Sequence, residues 1–288
     1  MAISAKVVLD SISRANCRLT TVQYRMPRCI LAEYNTHRTF SRSARSSRAV
    51  PYNRLRQEVL TDPFIPHFWG MNKPGMQAIH ELDECGRADA EHSWLLARDD
   101  ALNHADYLEQ IGLHKQLVNR ILEPFMWADG ITTATEWENF FALRCHPDAE
   151  PHMQLLAGAI RDALKESTPL KLEEGDWHMP YLADEDYAWA DKKGACFLQA
   201  LRLISAARCA RVSYRPFDQE LADPEKDHAR GITMMTAKPL HASPFEHLAT
   251  PDTRRPPLNI DWEHKADQGN FIGWRQFRRM LPGNYIHG

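Results

Sequence analysis

The sequence predicts a mixed α/β protein of the α+β kind, in which helices outnumber strands. Residues 20–25 alternate polar and apolar side chains, with Val22 and Tyr24 on one face, as a half-buried strand does. Longer segments carry apolar residues at helical spacing instead, most clearly at residues 153–164. No internal repeat or low-complexity tract interrupts them. The length permits one large domain or two small ones, and we expect a single domain over residues 1–288.

The first half of the chain begins with the strand at residues 20–25. Pro27 suits the first turn of a short helix, and a loop rich in Ser and Arg follows that helix. Residues 86–123 are predicted to be helical, with a break near Gly112.

The second half is predicted to be helical with long loops. Thr135 and Glu138 fit a capping box at the start of one helix, and Pro151 suits the first turn of the next. Pro, Gly and acidic residues predict loops, and apolar spacing predicts helices. The remaining segments are a long loop at 165–194, a helix at 197–208 leading into 212–214, an exposed charged stretch at 218–230, a loop at 251–269 and a short helix at 271–280.

Composition excludes several classes of protein. The formal net charge of -3 lacks the basic excess of a nonspecific nucleic-acid binder. The six cysteines form no CxxC pair, so reduced thiols are favoured over a disulfide scaffold or a zinc ribbon. No segment is long and apolar enough for a signal peptide or a membrane helix, which predicts a soluble, cytoplasmic protein. Neither a Gly-rich dinucleotide loop nor a P-loop occurs.

The most informative segment is residues 37–48, which holds four arginines and four serines within twelve residues. Guanidinium groups recognise phosphate in a planar, bidentate manner, and serine hydroxyls add further donors. Judged by charge alone, a solvated basic loop or a nucleic-acid contact explains this segment equally well.

This segment resembles the signature of the flavin-dependent thymidylate synthases (ThyX). In that signature, Arg-His-Arg precedes Ser, Asn, Ser and Arg at fixed spacings. Pro27 lies ten residues before the histidine, as the proline of the family's helix does. The residues in register with the signature are His37, Arg38, Ser41, Ser46 and Arg48.

A second block that is similar to the family consists of residues 120–124, preceded by Gly112, and residues 132–144. The resemblance implies that Arg120 binds the substrate phosphate, that Asn139 contacts flavin, and that Arg144 contacts the pyrimidine and favours ionisation at N3. Alternatively, Arg144 offsets a helix dipole and Asn139 faces solvent.

Two later blocks, residues 207–214 and 241–247, resemble the family's Ala-Ala-Arg-Val-Ser-Tyr and His-x-Ser-Pro-Phe-Glu-His segments. The resemblance implies that Ser243 contacts flavin and that Glu246 and His247 form a structural polar pair. Zinc is disfavoured, because the spacing of His241, Glu246 and His247 gives no convincing tetrahedral face. In most members these blocks precede the Arg-His-Arg signature, so the chain is identified as a circularly permuted, phage-type member. Permutation is tolerated when the original termini lie close together.

The chain departs from the family pattern at several positions. Glu33 stands where the family's helix has glutamine. The other departures are Thr36, Ser43, Ala44, Ala49, Thr133, Ala134 and Thr135. The phosphate arginines are retained, whereas several flavin and base contacts differ.

The resemblance implies a ThyX fold, with helices packed on a curved antiparallel sheet and four copies assembling. It implies reductive methylation of dUMP, with FAD as cofactor and NADPH and methylenetetrahydrofolate as co-substrates. Neither nucleic acid nor membrane is an expected partner. The expected roles are catalysis by Arg144, substrate binding by Glu33, Ser46, Ser47, Arg48, Arg120 and Arg144, and cofactor binding by His37, Arg38, Thr133, Asn139, His241 and Ser243.

Two alternatives remain open. The first is a hydroxymethylase or methylase of dUMP or dCMP that serves modified DNA. The second is a catalytically inactive relative that binds nucleotide.

Overall fold

The computed structural model describes residues 2–78, 80–212, 223–254 and 260–284. Its main sheet has five strands in the order β3-β4-β2-β1-β5. All neighbours are antiparallel except β1 and β5, which are parallel. The mixed α/β fold class with a mostly antiparallel sheet is therefore confirmed. The strands are β1 (Ser4–Ser13), β2 (Arg18–Pro27), β3 (Ser41–Ala44), β4 (Trp127–Ala134) and β5 (Leu170–Leu172), and a separate pair contains β6 (Ala249–Pro251) and β7 (Trp274–Gln276).

Helices cover both faces of the sheet. They are α1 (Leu31–Tyr34), α2 (Tyr52–Thr61), α3 (Glu84–Gln110), α4 (Lys115–Val118), α5 (Glu138–Arg144), α6 (Pro151–Glu166), α7 (Asp184–Asp191), α8 (Phe197–Arg211), α9 (Pro224–Thr236) and α10 (Phe277–Met280). Short 3-10 turns at Arg28–Ile30, Ser47–Ala49, Asn119–Phe125 and Ser243–His247 carry residues of the candidate site.

Alternation along β2 gives the sheet two different faces. Val22, Tyr24 and Met26 point into an apolar core shared with α1, α5 and α6. Thr21 points to the opposite face, toward the loop that carries His178. A second apolar core lies on that opposite face, between Ile131 of β4 and helices α7, α8 and α9. The site residues lie along the β3–β4 side of this sandwich.

Several predicted elements are confirmed. The predicted strand lies within β2, and α6 begins at Pro151, where the Glu150 side chain accepts a hydrogen bond from the Met153 N–H. The break near Gly112 separates α3 from α4, because this residue adopts a φ of 86°, in the left-handed region that favours glycine. The predicted helix at 197–208 is α8.

Other predictions were wrong. The helix predicted from Thr135 begins at Glu138 after the N-cap Trp137, and Thr135 instead accepts a hydrogen bond from the backbone of Ile272. The predicted loop at 165–194 contains β5 and α7. The stretch predicted to be exposed is only partly so, because Asp227 of α9 is buried. The helix predicted at 271–280 is shorter, because β7 precedes α10. Residues 213–222, which include the end of the predicted 212–214 segment, lie outside the described residues.

Candidate active site

Arg144, at the last position of α5, lies at the centre of an ionic cluster with the signature histidine. Its Nε donates to His37 Nε2 at 2.9 Å, and its Nη1 donates to the Glu33 carboxylate. A weaker contact joins Nη2 to the Thr36 hydroxyl at 3.5 Å. The structure therefore brings together three predicted site residues that are up to 111 positions apart in sequence.

His37 is held as a neutral acceptor in this cluster. Burial is the largest cause that lowers its pKa to about 4, and the positive charges of Arg144 and Arg42 contribute to the same shift. The ring packs edge-on against Phe140, with 4.9 Å between centroids. An arginine Nε can only donate, so the His37 Nε2 is unprotonated and the ring proton lies on Nδ1.

A second cluster, around Glu123, contains two of the predicted substrate residues, Arg120 and Ser47. Arg120 Nη1 donates to Glu123 Oε1 at 3.3 Å, and the Ser47 hydroxyl donates to the same oxygen. Arg28 Nη2 approaches it as well, at 3.4 Å. Arg28 and Glu123 were missed from sequence, although Glu123 stands three residues after Arg120 on one helical turn.

Ser46, Ser47 and Arg48 are placed by the 3-10 turn Ser47–Ala49. The buried amide of Asn119 donates to the backbone oxygens of Ser47 and Val50, at 2.7 and 3.0 Å, and so fixes this turn. Arg48 is exposed and Ser46 is half-buried. Ser47 is only 1% exposed, so its hydroxyl orients Glu123 and is not an open donor to substrate.

The predicted flavin residues fall into two groups. Arg38 is exposed and lines a cavity of about 410 Å³ with Glu246, Asn270, Gln276 and Arg278. The exposed Ser243 and His241 lie at and just before the turn Ser243–His247, which contributes Glu246 to this cavity. Asn139 is exposed on α5, next to Phe140, which packs on His37.

Thr133 has no exposed surface, which argues against direct contact with a cofactor. Its hydroxyl bonds to the Thr21 hydroxyl at 2.6 Å and to His247 Nδ1 at 2.9 Å. The chain of hydrogen bonds continues from Thr21 to His178 Nε2 and from His178 Nδ1 to Ser11, both at 2.8 Å. At its other end, His247 Nε2 bonds to the Ser43 hydroxyl at 3.0 Å. Sequence gave no signal for His178 in this buried chain.

The position of residues 241–247 agrees with the permuted order of motifs. His247 bonds to β3 and β4, and Gln276 of β7 bonds to Ser41 of β3 at 2.9 Å, so the later blocks pack against the signature within one chain. The 207–211 block forms the end of α8, where Arg208 is buried between Asp186 and Asp227. The 207–211 block therefore has a structural role. In the later block, the ion pair of Glu246 with Arg278 fixes one wall of the cavity of about 410 Å³.

The described residues hold no group of three or more His, Cys, Asp or Glu side chains arranged to bind a metal ion. None of their helices combines the length and the apolar character needed to span a bilayer.

Comparisons with known proteins place this geometry in a family. The family model Thy1, described as thymidylate synthase complementing protein, matches residues 16–170. Similar solved structures include those of a UMP/dUMP methylase, PolB from Streptomyces cacaoi, bound with 5-Br UMP and with 5-Br dUMP. Each has a TM-score of 0.48 and 14% identity, and the similarity covers 59% of this chain and 90% or 91% of the other. No match was found among curated proteins. Because the family model spans more than half of the 288 residues, the protein belongs to the Thy1 family of thymidylate synthase complementing proteins.

Proposed function

We propose that this protein is a flavin-dependent thymidylate synthase that methylates dUMP at C5. The observation that carries this proposal is the Arg144 cluster, in which an arginine is held in a fixed orientation by Glu33 and by a neutral His37. A preoriented guanidinium stabilises negative charge that develops on a substrate without the cost of reorganisation. In a member of the Thy1 family, the substrate group whose negative charge this guanidinium would stabilise is the pyrimidine ring.

The pyrimidine is activated when electron density moves from its N3 and carbonyl groups toward C5. Arg144 favours this movement by stabilising negative charge at N3 and at the neighbouring oxygen. His37 adds no positive charge beside Arg144, since its pKa of about 4 leaves it neutral near pH 7. Glu33 acts on the substrate through its ion pair with Arg144, which holds the guanidinium in place.

The phosphate of dUMP is assigned to the second cluster. Arg120 and the exposed Arg48 supply permanent positive charge, and Ser46 supplies a hydroxyl donor. Each hydrogen bond from a charged donor contributes roughly 1.5–3 kcal/mol, so two or three such contacts anchor a monophosphate.

The residues present fit a flavin. Its phosphates and flat ring system require cationic donors, hydroxyl groups and an open cavity. Arg38 and Ser243 supply the first two, and the cavity of about 410 Å³ is within the range of ligand pockets. His37, Asn139 and His241 would complete the contacts, whereas Thr133 supports the site from within the sheet.

The overall reaction balances with reduced flavin as the source of two reducing equivalents. In the proposed reaction, the methylene carbon of methylenetetrahydrofolate bonds to C5 while its bonds to the folate nitrogens break, and C5 loses its proton. A bound reduced flavin would supply the hydride that completes the methyl group and NADPH would restore the flavin, so that dTMP and tetrahydrofolate result. The chain's own residues bind, orient and place charge, which are the principal contributions of a protein to cofactor chemistry.

Assembly and location follow from the same proposal. The residues of the Arg144 cluster and those of the Glu123 cluster do not overlap in one chain, which is consistent with sites completed at junctions of a homotetramer. We expect the enzyme in the cytoplasm, where NADPH and reduced folates are available. We expect neither nucleic acid nor membrane as a partner.

The deciding experiment incubates the protein with FAD, NADPH, methylenetetrahydrofolate and either dUMP or dCMP. We expect flavin absorbance in the protein fraction and a product heavier than dUMP by one methylene group. Arg144→Ala should abolish the product while the bound flavin is retained. A hydroxymethylated product, or turnover of dCMP alone, would support the first alternative function. No flavin binding at saturating FAD would support the inactive relative.

A further inference from the structure

Three donors of the phosphate cluster converge on one carboxylate oxygen. Glu123 Oε1 accepts from the Ser47 hydroxyl, from Arg28 Nη2 at 3.4 Å and from Arg120 Nη1 at 3.3 Å. These donors belong to three different segments, the turns at Arg28–Ile30, Ser47–Ala49 and Asn119–Phe125. The fold therefore gathers two guanidinium groups and a hydroxyl around a single anionic atom, which is the arrangement that binds a phosphate oxygen.

The two arginines keep donors for a ligand, whereas the serine does not. Ser47 is 1% exposed, and its one proton goes to Glu123. The Arg28 and Arg120 side chains are 20% and 53% exposed. Each guanidinium has five N–H donors, so the contact with Glu123 leaves most of them available. Both arginines line a cavity of about 550 Å³ together with Asn35.

Glu123 also reduces the electrostatic repulsion between Arg28 and Arg120. Two guanidinium groups that approach the same atom repel each other, and a carboxylate between them offsets that repulsion. The carboxylate is itself held by the buried Ser47 turn, which Asn119 fixes. Removal of the carboxylate would let Arg28 and Arg120 separate.

We propose that Arg28 is a second phosphate-binding arginine beside Arg120, and that Glu123 is a positioning residue that holds the pair. This inference rests on the proposed function, because it takes the ligand to be the phosphate of a nucleoside monophosphate. It adds two residues to the predicted phosphate site of Ser46, Arg48 and Arg120.

The test of Arg28 measures binding of dUMP and of deoxyuridine, which lacks the phosphate, by calorimetry on the full chain. Arg28→Ala should weaken dUMP binding about tenfold or more, as we also expect for Arg120→Ala, and leave deoxyuridine binding within about twofold. Arg25→Ala is the control for Arg28, since Arg25 is 21% exposed and forms an ion pair with Asp62. Arg87→Ala is the control for Arg120, since Arg87 is 51% exposed on α3.

The test of Glu123 compares two variants. Glu123→Ala should lower the ratio of dUMP affinity to deoxyuridine affinity about tenfold, because the arginines lose their fixed positions. Glu123→Gln keeps an acceptor oxygen, so it should recover part of that ratio. If the alanine variant does not fold, the glutamine variant alone should still show a lowered ratio. Tighter dUMP binding by either variant would mean that Glu123 competes with the phosphate, and would overturn the positioning role.

The remaining outcomes separate this inference from the function on which it rests. If the unmodified protein prefers dUMP to deoxyuridine and Arg28→Ala keeps that preference, the assignment of Arg28 is overturned and the proposed function stands. If the unmodified protein binds deoxyuridine as well as dUMP, the phosphate site itself is wrong.

Discussion

Arg144 and His37 are joined by one hydrogen bond, with 2.9 Å between Nε and Nε2. The bond links the last residue of α5 to the loop that follows α1, and it fixes the tautomer of the imidazole. Because the guanidinium can only donate, protonation of His37 at Nε2 would break the bond and place two cations in contact. The signature histidine and the proposed catalytic arginine therefore act as one unit.

The first prediction concerns this coupling. Arg144→Ala should raise the pKa of His37 from about 4 toward 6.5, because the variant removes an adjacent positive charge and admits water. The titration is followed by NMR of histidine-labelled protein. Arg161→Ala, an exposed change on α6, should leave the pKa where it is. An unchanged titration in Arg144→Ala would show that burial and Arg42 keep His37 neutral without Arg144.

The second prediction concerns stability as a function of pH. Burial lowers the pKa of both His178 and His247 to about 3. The unfolded chain binds more protons than the folded chain between these values and about 6.5, so the free energy of unfolding rises with pH across that window. The contribution is complete above about pH 6.5 and is lost as pH falls toward 3.

Urea unfolding at a series of pH values measures this slope. His178→Gln should be less stable near neutral pH but should show a flatter dependence on pH, because one buried group no longer titrates. His146→Gln, at an exposed position, should keep the slope of the unmodified protein. A slope in His178→Gln equal to that of the unmodified protein would contradict the assignment.

The helices of this fold could be predicted from sequence more fully than its strands. α6 has an apolar stripe and a proline at its start, and α8 is buried over most of its length. β4 gave no such signal, because Gly130 and Asp129 interrupt it. The structure supplies the reason for the glycine, since a Cβ at Gly130 would lie 2.3 Å from the Tyr24 hydroxyl. β1 was missed because its register shifts between Val7 and Leu9, which disrupts strict alternation.

Some residues of the candidate site could likewise be identified from sequence, and others could not. Arg120, Arg144 and His37 could be predicted because their motifs are short and local. Glu123 could not, because its function depends on Ser47 and Arg28, 76 and 95 residues away, and only the folded chain brings them together. Thr133 was predicted to contact cofactor from its motif position alone. The structure buries its side chain completely, and no local pattern distinguishes the two faces of β4.

The third prediction tests the buried chain of hydroxyl and imidazole groups. Thr21 and Thr133 share its central bond, at 2.6 Å. Thr21→Val and Thr133→Val should each cost about 1–3 kcal/mol of unfolding free energy, because each leaves a buried partner unsatisfied. The double variant should cost less than the sum, since the bond between the two threonines is lost only once. Thr233→Val, at an exposed position on α9, serves as the control. Strict additivity would show that the groups do not act as a connected chain.

The last prediction concerns Glu33, which stands where the resemblance implies glutamine. Its carboxylate pairs with Arg144 and offsets the positive charge that the pyrimidine would meet. A carboxylate also only accepts hydrogen bonds, whereas a glutamine amide both donates and accepts. Glu33 therefore controls both the charge and the donor pattern beside the base.

Glu33→Gln should lower the pH at which bound dUMP loses its N3 proton. The variant leaves the Arg144 charge uncompensated, and an uncompensated cation stabilises the ionised ring. Cytosine has no proton at N3, so bound dCMP should show no such change. Ultraviolet difference spectra of each bound nucleotide, recorded from neutral to alkaline pH, measure the effect. Glu185→Gln, at an exposed position on α7, should leave both spectra unchanged.

The same pair of variants also tests which base the site accepts. A site built for one pattern of donors and acceptors leaves polar groups unpaired with the other base, and this can cost about 10⁴-fold in discrimination. We expect the unmodified enzyme to turn over dUMP in preference to dCMP, because negative charge at N3 of uracil is what Arg144 stabilises. If instead dCMP is the better substrate and Glu33→Gln removes that preference, then the carboxylate accepts from the cytosine amino group. The protein would then be a cytosine-modifying member of its family, with the same fold and the same phosphate site.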